Sequence, residues 1–125
     1  MPGVTLDAGG LIALDRDDRR VVVLLARAHQ TGAQVTVPAP ALAQAIRRAE
    51  RQVRLSRLIR QPGTDVIALD RADAAHVGRL LAASATSDIA GAHVVICARR
   101  AGQPVVTSDP GDLRQLDPAL RLIAL

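Results

Sequence analysis

Five short apolar runs recur along the chain: VTLD (4–7), QVTVP (34–38), DVIAL (65–69), PVVTS (104–108) and RLIAL (121–125). Longer stretches separate them, with apolar residues at the three and four spacing of helices. Helices are predicted over 8–15, over 17–32 with Gly32 as the stop, and over 39–61 as one bent helix or two, ended by Pro62-Gly63. Three more are predicted over 71–84, capped by Asp70, over 89–102, opened by Asp88 and closed by Gly102, and over 110–116. Strands alternating with helices in this way predict an α/β protein with helices on both faces of a parallel sheet, joined by right-handed crossovers. No repeat, low-complexity tract or linker interrupts the pattern, so a single domain is expected over 1–125.

The core of such a sheet has to be aliphatic here, because the 125 residues include no Phe, Tyr or Trp. That absence also removes any aromatic platform for stacking nucleobases. A nucleic-acid partner would be held through phosphate, sugar or groove shape. All sixteen basic residues are arginine and the net charge is +4, a weak pull on polyanions. The one cysteine, Cys97, excludes an internal disulfide and fits a reducing compartment. No apolar run reaches the roughly 18 residues of a membrane span, and the N-terminal stretch lacks the basic region and cleavage site of a secretory leader. A cytoplasmic protein without membrane contact is expected.

In a parallel sheet, ligands collect beyond the carboxyl ends of the strands. Asp7 ends the first strand, Asp109 and Asp112 follow the fourth, and Asp88 opens the helix that leads into the fourth. Singly, Asp7, Asp88 and Asp109 read as helix N-caps, and Asp112 as a first-turn acid behind Pro110. Together they are candidates for one cleft. Carboxylates about 4 Å apart repel by about 4 kcal/mol at an effective dielectric near 20, so such a cluster calls for a cation or a proton. Hard carboxylate oxygens suit Mg²⁺ or Mn²⁺.

Four segments, VTLDAGGLIALDR, VPAPALAQAIRR, ATSDIAGAHVVICARRAG and VVTSDPGDL, resemble in order and spacing the PIN domain, specifically the VapC toxins of type II toxin–antitoxin pairs. The resemblance covers essentially the whole chain. It implies a three-layer α/β/α sandwich with a five-stranded parallel sheet and a ribonuclease that hydrolyses RNA phosphodiesters at an acidic Mg²⁺ or Mn²⁺ site. It further implies a small cognate antitoxin as inhibitor and a possible homodimer. Carried over by position, Asp7 and Asp109 are metal ligands, with Asp88 and Asp112 as auxiliary ligands or water-orienting groups. The family's glutamate falls on Gln44 and its third acid on Gly91, so two of the four expected carboxylates are missing. Asp88, three positions before Gly91, lies on roughly the same helix face and can reach the same cleft.

Two function classes follow: a working metal-dependent endoribonuclease, or a degenerate PIN domain that has lost hydrolysis and binds RNA or a protein partner. A receiver-like domain fits less well, for want of any Lys. Arg47, Arg48, Arg51, Arg54, Arg57 and Arg60 form a basic stripe along the predicted 39–61 helix, either a solvated face or a steering surface for phosphates or an acidic antitoxin segment. Thr107 and Ser108 are candidate phosphate contacts or strand-end turn formers. His93 and Cys97, four apart, lack the further ligands zinc needs and read as a packed helix with a buried thiol.

Overall fold

The computed structural model describes residues 3–125. The elements run β1 (Val4–Leu6), α1 (Ala8–Asp15), α2 (Arg19–Thr31), β2 (Val35–Pro38), α3 (Ala39–Ala45), a 3-10 turn (Ala49–Arg51), α4 (Val53–Arg60), β3 (Thr64–Ile67), α5 (Arg71–Ser84), α6 (Ile89–Ala101), β4 (Val105–Thr107), α7 (Pro110–Leu116) and β5 (Leu122–Ala124). The five strands form one parallel sheet in the order β3-β2-β1-β4-β5. Val4 pairs with Val35 on one side of β1, and Thr5 with Val105 on the other. The chain winds outward from β1 to β3, and then α5 and α6 carry it back to β4 on the far side of β1. The direction therefore reverses between β1 and β4. Right-handed crossovers put α1 to α4 on one face and α5 to α7 on the other, giving the three-layer α/β/α arrangement. Accordingly α6 packs on β1 and β2 and also against α5 and α7, while α1 packs against α2, α3 and α4.

Burial follows position in the sheet. Every residue of β1, β2 and β4 is buried, which is why these segments carry no charge and only threonine among their polar residues. The outer strands β3 and β5 are only partly covered, and exposed Asp65 puts a charge on the β3 edge, where it discourages pairing with another chain. The core is aliphatic, built on Leu6, Leu11, Val21, Val37, Val94, Val95, Val105 and Val106. A buried bond from Thr5 Oγ1 to Gln103 Oε1, 2.8 Å long, supplies the polar tie beneath β1. Gly10 lets α1 sit directly on the sheet, since a Cβ there would lie 2.7 Å from the Val106 carbonyl oxygen.

Of the one bent helix or two expected over 39–61, the structure has two, α3 and α4. Ile46 turns to an extended backbone (φ −75°, ψ 123°) and ends α3. Buried Gln52 holds the break open: its Oε1 accepts from the Arg47 and Arg48 amides at 2.9 and 3.2 Å, and its Nε2 donates to the Ala45 carbonyl at 2.9 Å. The side chain thus takes backbone groups that a continuing helix would pair with itself. The basic stripe is broken with it, because Arg47, Arg48 and Arg51 no longer share a helix with Arg54, Arg57 and Arg60. Among the described residues no single helix is long and apolar enough to cross a membrane.

Candidate functional site

The reversal between β1 and β4 leaves a crevice at the carboxyl edge of the sheet, the place where open α/β sheets bind ligands. A cleft of about 250 Å³ lies there, and Asp7, Asp88, Asp109 and Asp112 all line it, with Gln44, Gly91, Ser108 and Leu113 among its other walls. Two of the acids are bonded helix caps and two are not. Asp7 leaves β1 and caps α1, its Oδ1 accepting the Gly10 amide at 2.8 Å. Asp88 caps α6 through the Gly91 amide at 2.9 Å. Asp109 was expected to cap α7, but its carboxylate makes no cap bond. Its backbone amide donates instead to Thr107 Oγ1 at 2.9 Å, which turns the chain out of β4 and leaves the carboxylate facing the cleft. Asp112 projects from the first turn of α7.

Charge is concentrated and only partly answered. Burial pushes the Asp7 carboxyl above its usual 3.8, and Asp109 nearby adds to the rise; bonds from the Thr107 hydroxyl and the Gly10 and Gly9 amides oppose it. Asp112 is also raised, first by its hydrogen bond with Asp109, then by the negative charges of Asp109 and Asp88. Burial thus accounts for most of the rise at Asp7 and the closeness of Asp109 for that at Asp112, and a cation among these carboxylates would relieve their repulsion. Among the described residues no soft donor lines the cleft, so its oxygens fit Mg²⁺ or Mn²⁺ rather than zinc.

Gly91 is part of the same geometry. A Cβ on Gly91 would lie 2.2 Å from Asp88 Oδ2 and 2.8 Å from its Cγ, so the Asp88 carboxylate occupies the space of the side chain that residue 91 lacks. Gln44 contributes a neutral amide to the cleft wall.

Other candidates are placed differently. Thr107 is fully buried and bonds both the Asp7 carboxylate and the Asp109 amide; it ties β1's acid to β4's and is out of reach of a phosphate. Ser108 is exposed and lines the cleft. Arg47, Arg51 and Arg54 do not line it. Arg47 donates to the Ile46 carbonyl, and Arg54 reaches back to Asp17 at 3.4 Å, beside a groove between α2 and α4.

The His93 and Cys97 pair of the sequence gains a third member in the structure. His93 and Cys97 are buried as expected, and Asp73 of α5 joins them, with donor atoms close enough to share an ion. His93 Nε2 lies 2.8 Å from Asp73 Oδ2 and 3.5 Å from Cys97 Sγ, and Arg100 holds the other Asp73 oxygen. The bond to a carboxylate assigns the proton to Nε2, leaving Nδ1 as a buried acceptor without a partner among the described residues. A metal at Nε2 would move that proton to Nδ1 and strand a buried donor. Burial also pushes the Cys97 thiol up to about 11, far from the thiolate a metal takes. The group is best described as a clamp between α5 and α6. In sequence Asp73 looks like an ordinary first-turn acid of α5; only the packing of the two helices distinguishes it. Comparison of the chain with protein-family models and with curated proteins finds no match in either.

Proposed function

We propose that the protein is a metal-dependent endoribonuclease of the VapC toxin type. The observation that carries this reading is the convergence of Asp7, Asp88, Asp109 and Asp112, from three separate segments, on one cleft at the β1/β4 reversal. Asp7 and Asp109 are the proposed principal ligands of one Mg²⁺ or Mn²⁺, which needs only one or two carboxylates. When bound, that ion would polarise a phosphoryl oxygen and lower the pKa of a coordinated water. The chain's own part is positional. Thr107 fixes Asp7 relative to Asp109, Asp112 accepts or releases a proton at the rim, and exposed Ser108 offers a hydroxyl to a phosphate. The exposed arginines draw a polyanion towards the molecule from outside the cleft. The partners implied are RNA as substrate and a small antitoxin as inhibitor.

Gln44 favours a second reading. It faces the cleft without a charge, which weakens any second ion and with it a two-metal hydrolysis, and so suits a binding module that has lost hydrolysis. The test is cleavage of a mixed structured RNA with Mg²⁺ or Mn²⁺ by the natural protein and by Asp109→Asn. Cutting that disappears in Asp109→Asn supports the nuclease. Failure of the natural protein to cut, with RNA still retained, transfers the proposal to the binding module.

A further inference from the structure

The overlap between Asp88 and Gly91 is not an ordinary feature of a helix cap. A cap side chain that bonds the amide three residues on normally coexists with a full side chain at that third position, as in the capping box, where it is Glu or Gln. Here Asp88 keeps the bond to the Gly91 amide at 2.9 Å while its second oxygen lies 2.2 Å from where a Cβ at 91 would be. The carboxylate has swung over the helix shoulder into space that any other residue at 91 would fill. That position lines the cleft, and from it the charge of Asp88 is felt by Asp112.

We propose that Gly91 is a positioning residue: by presenting no side chain, it lets Asp88 cap α6 and turn its carboxylate towards the divalent ion of the cleft. The inference rests on the metal reading above and adds a device specific to this chain. It also sets a constraint that runs against intuition. An acid introduced at 91 is not a simple addition to the present set, because its Cβ would meet the Asp88 carboxylate and force that side chain to move.

The test is Mn²⁺ titration by calorimetry on the full chain, for the natural protein, Asp88→Asn, Gly91→Ala and the double variant, with thermal melts in the absence of metal. Asn caps helices as well as Asp does, so Asp88→Asn removes the charge and keeps the cap. Both single variants are expected to weaken Mn²⁺ about tenfold, in the range seen when groups that orient a metal site are removed. The double variant should be no weaker than either. Metal-free Tm should stay nearly level in Gly91→Ala, since the better helix propensity of Ala offsets a weakened Asp88 cap, so lost binding cannot be blamed on unfolding. Undiminished Mn²⁺ affinity in Gly91→Ala overturns this inference and leaves the metal reading standing. Absence of Mn²⁺ binding by the natural protein removes the metal reading and this inference together.

Discussion

Replacing Gln52 with Ala tests whether a single side chain holds the break between α3 and α4. Gln52 is 6% exposed and accepts from two backbone amides while donating to one backbone carbonyl. Alanine keeps the helix start that follows but leaves the Arg47 and Arg48 amides and the Ala45 carbonyl without this partner. A net hydrogen bond contributes about 1 kcal/mol, and groups left buried and unpaired cost more, so a loss of about 3 kcal/mol is expected. For a chain of this size each kcal/mol moves Tm by about 4 °C, so the melt should fall by roughly 10 °C, read by circular dichroism with urea titration as a second measure. Gln52→Glu keeps the acceptor but brings a charge near Asp15, whose carboxylate lies 3.3 Å from the Gln52 amide nitrogen. It should be destabilised at neutral pH and recover part of the loss near pH 4. A Gln52→Ala protein melting within 3 °C of the natural one would refute the assignment, and the extended turn at Ile46 would then need another cause.

Asp73→Asn should destabilise at neutral pH by about 1–3 kcal/mol, because a charged partner of buried His93 and of Arg100 is lost. Arg100 and His93 hold the folded Asp73 carboxyl below its usual 3.8 against the opposing effect of burial, so its stabilisation is present above that value and fades as pH falls through the lower folded one; urea melts of both proteins should converge in acid. Asp7 has the opposite sign: its folded carboxyl is raised, so ionisation at neutral pH works against the metal-free fold, and Asp7→Asn should raise Tm in chelator while abolishing RNA cleavage. Gly10→Ala should destabilise by about 1–3 kcal/mol despite better helix propensity, since its Cβ would stand 2.7 Å from the Val106 carbonyl oxygen; an unchanged melt would mean that α1 shifts freely on the sheet.

The strands were legible because their burial is one-dimensional. VTL, VTVP and VVT are buried throughout since both faces of an inner parallel strand are covered, and the helices announced themselves through Asp7, Asp70 and Asp88 at their starts and Gly32 and Gly102 at their ends. The convergence of the acids was legible for the same reason, since strand ends in such a sheet share an edge. What local pattern does not carry is the choice a polar side chain makes between near and distant partners. Gln52 sits in a helical register and still breaks the helix; Thr107 looks like a strand-end hydroxyl and is sealed between two aspartates; Asp73 copies a first-turn acid and is buried against α6. The unused cap at Asp109 belongs with them, because the Thr107 hydroxyl supplies the local bond that shapes the turn.

The placing of β4 beside β1 also sets an order of assembly. β1 can pair with β2, and β2 with β3, while the second half of the chain is still being made, but the other neighbour of β1 lies roughly a hundred residues downstream. Such distant pairings are slow to form, and chains emerge from synthesis N-terminus first. A half-made chain therefore carries Asp7 with no Asp109 or Asp112 across from it, and Asp88 joins it only once α6 has packed on β1 and β2. The acidic cleft is therefore among the last features to be completed, because Asp109 and Asp112 follow β4.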